Sequence, residues 1–141
     1  MSGSFARDKG QRAEREVIKL LQPVVNEAYM QAGHPESKIP QLERNLMQSN
    51  KGGYDIEGLD WIALEVKHQE NLQVPAWWKQ CVEQSGNIRL PVLFYKQNRV
   101  KWRIRTIGFL AVGERRVKCP VEISLEVFLI YFAERLKEEM K

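Results

Sequence analysis

The sequence is poor in cysteine and histidine, with two of each among 141 residues. Cys81 and Cys119 stand apart from one another, so they form neither a disulfide framework nor the paired spacing of a structural zinc site. Apolar runs are also short, since none approaches the ~18 residues that a membrane-spanning helix requires. The N-terminal segment lacks the apolar core of a signal peptide. We therefore expect a cytoplasmic protein with reduced thiols and no membrane partner.

The chain length predicts a single domain, residues 1–141, that can bury a hydrophobic core without cross-links. The formal net charge of +4 is small, but its distribution is uneven. Residues 96–118 carry eight basic side chains and one acidic side chain, whereas residues 20–95 carry six basic and nine acidic ones. A local excess of this kind is typical of a phosphate-binding surface. Exposed strands also carry lysine and arginine for solubility alone, so both interpretations stay open.

Apolar residues recur at three- and four-residue steps in three segments, and this spacing predicts three helices. The first runs from Asp8, which we take as its N-cap, to Ala32. The second runs from Pro75 to Ser85, and the third begins at Ser124 and continues to the C-terminus. In all three segments the apolar positions share one side of the helix, so each is expected to pack against the rest of the domain.

Two-residue alternation predicts strands in the middle of the chain. They are expected at residues 54–57, 61–67, 90–95 and 99–107. The first two form a hairpin around Gly58. Ahead of this hairpin, Ile39, Leu42 and Leu46 recur at a helical spacing and predict one or two helical turns. The order of elements predicts an α/β fold of the α+β kind, a mixed sheet flanked by helices.

The strand at residues 61–67 carries the first side chains that suggest chemistry. Alternation places Glu65 and Lys67 on one face and the apolar residues on the other. Burying a carboxylate and an ammonium on so apolar a strand is costly unless a function requires them. Asp55, on the other strand of the hairpin, adds a second carboxylate, and this set favours a Mg²⁺ site that activates water at a phosphate. An intrastrand ion pair on an exposed sheet face explains the same spacing equally well.

The first helix contains two candidate acids that differ in their neighbours. Glu16 lies four residues after Arg12 and three before Lys19, a spacing that gives ordinary surface ion pairs. Glu14 instead leads the apolar stripe, so it is expected to point toward the sheet with no basic residue at the helical spacings that follow. An inward carboxylate without a local partner favours a functional role. We therefore join Glu14 to the aspartate, glutamate and lysine of the hairpin as one catalytic constellation.

Six stretches, in order over roughly residues 7–105, carry a family resemblance. They read Lys9-Gly10-Gln11-Arg12-Ala13-Glu14-Arg15-Glu16, Leu42-Glu43-Arg44-Asn45-Leu46, Gly52-Gly53-Tyr54-Asp55, Leu64-Glu65-Val66-Lys67, Trp77-Trp78-Lys79-Gln80 and Pro91-Val92-Leu93-Phe94-Tyr95. The set resembles the Holliday junction resolvases of the PD-(D/E)xK nuclease superfamily, and most closely the resolvase-like endonucleases of bacteriophages. The proline of the superfamily name is absent, since Tyr54 precedes Asp55, but that position is loose in the superfamily.

The resemblance implies a restriction-endonuclease-like PD-(D/E)xK core and a structure-specific DNA endonuclease that resolves four-way junctions. It implies that Glu14, Asp55 and Glu65 bind metal together with the backbone carbonyl of Val66, and that Lys67 is the catalytic lysine. The implied cofactor is Mg²⁺, for which Mn²⁺ can substitute. The implied active form is a homodimer, which places one site on each of two strands of a two-fold symmetric junction.

Basic residues near the constellation are candidates for contacts with DNA phosphates. They are Arg7, Lys9, Arg12, Arg15, Arg44, Lys51, Lys101, Arg103 and Arg105. The superfamily also suggests a polar helix residue near the metal, here Gln80, although a solvated helix face explains it equally well. His34 and His68 have no partnered spacing and are expected to be non-catalytic. Two alternative functions stay open: a duplex endonuclease of restriction or repair type, and a DNA-binding module whose acidic residues are structural.

Overall fold

The computed structural model of the protein describes residues 3–46 and 53–141. Its elements are α1 (Gly3–Gln31), a short 3₁₀ helix (Glu36–Lys38), β1 (Glu43–Arg44), β2 (Ile56–Glu57), β3 (Ile62–His68), α2 (Val74–Ser85), β4 (Leu90–Lys96), β5 (Arg103–Val112), β6 (Arg115–Ser124) and α3 (Leu125–Glu139). Lys51, with its predicted phosphate contact, lies outside these residues. No helix in the described ranges is long and apolar enough to cross a membrane.

The strands of the described residues form one mixed sheet in the order β1-β2-β3-β4-β5-β6. All neighbours are antiparallel except β3 and β4, which run parallel with Glu65 opposite Leu93. α2 makes the crossover that two parallel neighbours require. The predicted fold class, a mixed sheet flanked by helices, is confirmed.

Helices cover both faces of this sheet. The main core packs α1 and α3 against the central strands, and its fully buried members include Val17, Leu21, Phe94, Phe128 and Phe132. On the opposite face α2 buries Trp77 and Cys81 against Leu93 and Tyr95. Leu64 and Val66 point into the main core, so alternation along β3 turns Glu65 toward α2.

The first helix begins earlier than the sequence predicted. Asp8 was expected to be the N-cap, but it lies inside α1 with its side chain exposed. The residues before it, including Ala6 and Arg7, are good helix formers and extend the helix back to Gly3. The helix also continues through Pro23, whose missing N–H removes one backbone hydrogen bond. The predicted stop is confirmed, since Gly33 follows the helix with a φ of +84°.

The helical turn expected between α1 and the hairpin was a wrong prediction. The chain there forms the edge strand β1, in which Arg44 lies opposite Ile56 of β2. Ile39 and Leu42 are buried, whereas Leu46 is 76% exposed. The three residues therefore do not share a helix face. Ile39 and Leu42 are each buried in the core from an extended segment instead.

The sheet also extends further than the sequence predicted. The strand expected at residues 99–107 runs from Arg103 to Val112, turns at Gly113 with a φ of +61°, and returns as β6. β4 pairs with β5 only as far as Arg105, so the remainder of β5 and β6 forms a two-stranded hairpin. The sequence signal failed there because the apolar residues of 107–112 follow one another without alternation.

Candidate active site

A cleft of about 790 Å³ lies between the N-terminal half of α1 and the carboxyl end of β3. Glu14 enters it from α1, Arg44 from β1, Asp55 from the start of the hairpin, and Val66 and Lys67 from β3. Three different parts of the sequence therefore meet here because β1, β2 and β3 are neighbours at one side of the sheet.

The Asp55 carboxylate is held in place by the backbone of β3. Its Oδ2 accepts a hydrogen bond from the N–H of Val66 at 2.7 Å, and its own N–H donates to the carbonyl of Leu64 at 2.7 Å. Asp55 stands one step along the hairpin from the pair Ile56–Leu64, which brings it opposite Glu65. The predicted approach of these two carboxylates is thus a property of the hairpin register.

The Glu65 carboxylate is buried, with 3% of the residue exposed. Its Oε1 has no hydrogen-bond partner among the residues that the structure describes. Burial and then the charge of Asp55 raise the pKa of Glu65 to about 8; Lys67 lowers it in part, and Glu14 makes a smaller contribution that raises it. Such burial excludes the alternative of an ion pair on an exposed sheet face.

Glu14, unlike Glu65, lines the cleft, but its carboxylate already has a partner. The Nε of Arg44 donates to Glu14 Oε1 at 2.8 Å, and the two side chains are 20% and 11% exposed, respectively. The spacing along α1 correctly indicated an inward side chain with no partner on the helix itself, but it could not show the distant partner. The partner comes from β1, far along the sequence, where helical spacing gives no signal. A phosphate contact for Arg44 stays a prediction.

The donor chemistry of the cleft fits a divalent cation. Carboxylate oxygens are the ligands that Mg²⁺ and Mn²⁺ prefer, and the buried Oε1 of Glu65 is an orphaned acceptor that a cation would satisfy. Within residues 3–46 and 53–141, however, no three His, Cys, Asp or Glu side chains are grouped closely enough to hold an ion. In this structure the Glu14 carboxylate is directed to Arg44 instead.

The predicted phosphate-binding residues divide into groups. Those that line the cleft are Arg7, Lys9 and Arg44. Those that line a second groove, of about 830 Å³, are Lys101 and Arg103. Two more, Arg12 and Arg15, are exposed on α1, and Arg105 forms a salt bridge with Glu122 at 3.5 Å. Gln80 is exposed on α2 and lies outside the lining of the cleft, as the solvated-face alternative expects.

His68 lines the cleft although the sequence favoured no role for it. Its ring centroid lies 6.4 Å from that of Trp102, a residue of the second groove, so the two cavities meet there. Burial and then nearby lysine charges lower the pKa of His68. The available sequence signal was alternation, which places His68 on the same strand face as Val66.

Glu16 takes different partners from those predicted along α1. Its Oε1 accepts hydrogen bonds from Trp102 Nε1 at 2.9 Å and from Lys96 Nζ at 3.4 Å. The prediction of local surface ion pairs was therefore wrong, because α1 packs close enough to the end of β4 for long-range partners to reach it. Glu16 thus connects α1 to Trp102 and Lys96, which line the second groove.

Comparison with known proteins gives a family and related solved structures. A family model described as "Phage putative PDDEXK endonuclease" matches residues 6–107. Hjc, a Holliday junction resolvase from the archaeal hyperthermophile Archaeoglobus fulgidus, matches with 16% identity and a TM-score of 0.49, covering 86% of this chain and 98% of that chain. A likeness of that size says nothing about the activity of this chain. No curated protein matches the sequence significantly.

Proposed function

This chain belongs to the family of phage PDDEXK endonucleases, and from that premise we propose that it is a metal-dependent endonuclease that resolves four-way (Holliday) DNA junctions. Nuclease activity follows from the family; the junction preference, the cation and the paired cutting are the proposal. The observation that carries it is the buried, unpartnered Oε1 of Glu65. Glu65 does not line the cleft, but it lies close enough for its pKa to respond to Asp55, Lys67 and Glu14, which line the cleft together with basic side chains. A structural carboxylate would have been paired within the fold.

We assign Asp55 and Glu65 to a divalent cation, Mg²⁺ with Mn²⁺ able to substitute, together with Glu14 and the backbone carbonyl of Val66. When bound, the cation activates water and neutralises charge on the leaving oxygen. The hydrogen bond from the Val66 amide fixes the orientation of the Asp55 carboxylate, which lines the cleft. The burial of Glu65 keeps competing water away from its carboxylate.

Lys67 is the proposed catalytic lysine. It lies two residues after Glu65 on β3, is half-buried, and lines the cleft. Its ammonium would hold a phosphate oxygen and offset the negative charge that develops as water attacks the phosphorus. Arg7 and Lys9, on the α1 wall, would bind the flanking phosphates and hold the DNA backbone in register.

A homodimer is the proposed active form, because two strands of a junction are cut symmetrically only by two sites. The hairpin of β5 and β6 supports it. Beyond the sheet this hairpin exposes Leu110, Val112 and Val117, which are 59%, 48% and 43% accessible. Two-stranded hairpins are marginally stable in water on their own, so an apolar cover is expected for this one.

The charge pattern supports a second copy of the chain as that cover. The hairpin tip is basic, with Arg115, Arg116 and Lys118. α3 exposes two apolar side chains, Val127 at 50% and Ile130 at 68%, and its sequence is rich in glutamate. In a two-fold dimer the hairpin of one protomer would lie on α3 of the other, and the reverse contact would follow by symmetry.

The proposal is tested by incubating the protein with a synthetic four-way junction and with a linear duplex of the same arm sequences, in Mg²⁺ or in EDTA. We expect paired cuts at symmetric positions of the junction in Mg²⁺ only, and loss of cleavage in Asp55→Asn. Equal cleavage of junction and duplex would instead identify a duplex endonuclease of restriction or repair type. Junction binding without metal-dependent cleavage would identify a DNA-binding module.

A further inference from the structure

The ion pair between Arg44 and Glu14 occupies a carboxylate that the proposed cation site requires. The contact is short, 2.8 Å from Nε to Oε1, and both side chains are largely withdrawn from solvent. Hydrogen bonds between ionised groups are among the stronger ones in proteins. Together with Asp55 and Glu65, Glu14 would make three carboxylates, yet the described residues contain no group of three that could hold an ion. The cation site is therefore incomplete while Arg44 holds Glu14.

We propose that Arg44 is a positioning residue that withholds Glu14 from the cation in the DNA-free protein and releases it when a DNA phosphate binds the guanidinium. This inference rests on the proposed function, since it assumes that the cleft takes DNA and a divalent cation. Substrate binding would then complete the metal site, and the protein would bind its cation tightly only with DNA in the cleft.

Arg44 is suited to exchange one anion for another. A guanidinium matches the geometry of carboxylates and phosphates alike. Arg44 lines the same cleft as Arg7 and Lys9, so a phosphate drawn in by those charges arrives beside it. The incoming phosphate and the cation both oppose the existing pair, because the phosphate competes for the guanidinium and the cation competes for the carboxylate.

The position of Arg44 in the fold allows this exchange. It lies on β1, a two-residue strand at the edge of the sheet that is hydrogen-bonded on one side only. The neighbouring Asn45 N–H donates to the carbonyl of Asp55 at 2.8 Å, which ties β1 to the backbone of the site. Arg44 can thus change its side-chain partner while its backbone stays beside Asp55.

By linkage, DNA and the cation must then strengthen one another's binding. A phosphate that itself ligates the metal would produce coupling too, so coupling alone does not identify the Arg44 contribution. Removing Arg44 separates the two sources. In its absence Glu14 is free without DNA, and the cation should bind the DNA-free protein more tightly.

The experiment measures the affinity for Mn²⁺, by calorimetry or by electron paramagnetic resonance, with and without a junction carrying non-cleavable linkages. We expect Arg44→Gln to bind Mn²⁺ about 5- to 20-fold more tightly than the wild type in the absence of DNA. Arg44→Lys, which keeps a charge that can pair with Glu14, should fall between them. The gain in Mn²⁺ affinity that DNA produces should be smaller in Arg44→Gln than in the wild type, by a similar factor.

A double-mutant cycle with Glu14→Gln shows whether the effect passes through Glu14. In that background Arg44→Gln should no longer improve Mn²⁺ affinity. Lys9→Gln, which removes a cleft charge that does not pair with Glu14, is the matched control and should act equally in both backgrounds.

Two outcomes would overturn the inference: unchanged or weaker Mn²⁺ binding in Arg44→Gln, and an equal gain in the Glu14→Gln background. Failure of the proposed function looks different, because then the wild type would bind no Mn²⁺ even with DNA and would not cleave. Circular dichroism of each variant, compared with the wild type, excludes misfolding as the source of a weaker affinity.

Discussion

The carboxylate of Asp55 accepts a hydrogen bond from the backbone amide of Val66 at 2.7 Å, across the hairpin of β2 and β3. One oxygen of the aspartate is thereby fixed by the backbone of β3, and the side chain lines the cleft. The same contact fixes the position of β3, on which Glu65 and Lys67 lie. This single hydrogen bond therefore both orients the proposed site and stabilises the hairpin.

Two substitutions at Asp55 should separate these roles. Asp55→Asn keeps an oxygen that accepts from Val66, so its free energy of unfolding should remain near that of the wild type. Asp55→Ala leaves a buried N–H unpaired and should cost about 1–3 kcal/mol. Both should lose at least ~100-fold in metal-dependent cleavage, since a few kcal/mol of charge stabilisation are removed. Urea unfolding and junction cleavage measure the two effects, and an active Asp55→Asn would refute the assignment.

The pKa of Glu65 predicts how stability depends on pH. Because burial and the neighbouring Asp55 charge raise this pKa from 4.5 to about 8, the folded protein binds the proton more tightly than the unfolded chain does. The resulting stabilisation is complete below pH 4.5 and is lost as pH rises toward 8. In EDTA, Glu65→Gln should therefore unfold at a higher temperature than the wild type at pH 9, with little difference at pH 5.

The matched control for this comparison is Glu83→Gln, on an exposed position of α2. It should follow the wild type at both pH values. Adding Mg²⁺ together with a junction that carries non-cleavable linkages at pH 9 should stabilise the wild type more than Glu65→Gln, since the substitution removes one of the proposed carboxylate ligands. Melting curves of Glu65→Gln and wild type that stay parallel from pH 5 to pH 9 would show that Glu65 is not the group that titrates.

Replacing Lys67 should impair cleavage more than binding. Lys67→Met keeps most of the apolar stem but loses the ammonium, so the single-turnover cleavage rate should fall at least ~100-fold. Junction affinity in Ca²⁺ should change only a few-fold, because several other basic residues contact the backbone. Lys79→Met, on the exposed side of α2, is the control and should retain activity. If the junction affinity and the cleavage rate fall by the same factor, Lys67 binds DNA but has no catalytic role.

Much of the site could be predicted from the sequence because its main geometry is local. The alternation of β3 placed Glu65 and Lys67 opposite the apolar residues, and the short turn at Gly58 fixed which residue of the first strand meets Glu65. Burial of Glu65 then follows from α2, whose apolar side was also visible as a periodic pattern. Such features depend on residues close in sequence, where spacing alone determines contact.

Contacts between distant segments could not be predicted from the sequence. Arg44 meets Glu14, and Trp102 meets Glu16, only because β1 and β4 pack against α1. Helical spacing predicts partners three or four residues away and gives no information about contacts between distant segments. The β6 strand was missed for another reason. Cys119, Val121 and Ile123 do alternate with exposed residues along it, but its partner β5 shows no alternation over residues 107–112 that would have predicted a hairpin.

The exposed hairpin gives the remaining prediction, on oligomeric state. Leu110→Lys places a charge in the proposed interface and should convert the dimer to a monomer in sedimentation experiments. Because Leu110 is 59% exposed in the single chain, the substitution should change the stability of the fold by no more than ~0.5 kcal/mol.

Met30→Lys is the control, since Met30 is 64% exposed near the end of α1, outside both the hairpin and α3. It should remain dimeric. A monomeric Leu110→Lys should also lose paired cutting of a junction while keeping isolated nicks, because each site stays intact but acts alone. If Leu110→Lys sediments as a dimer and still makes paired cuts, the hairpin is not the interface, and the apolar side chains at its tip must have another function.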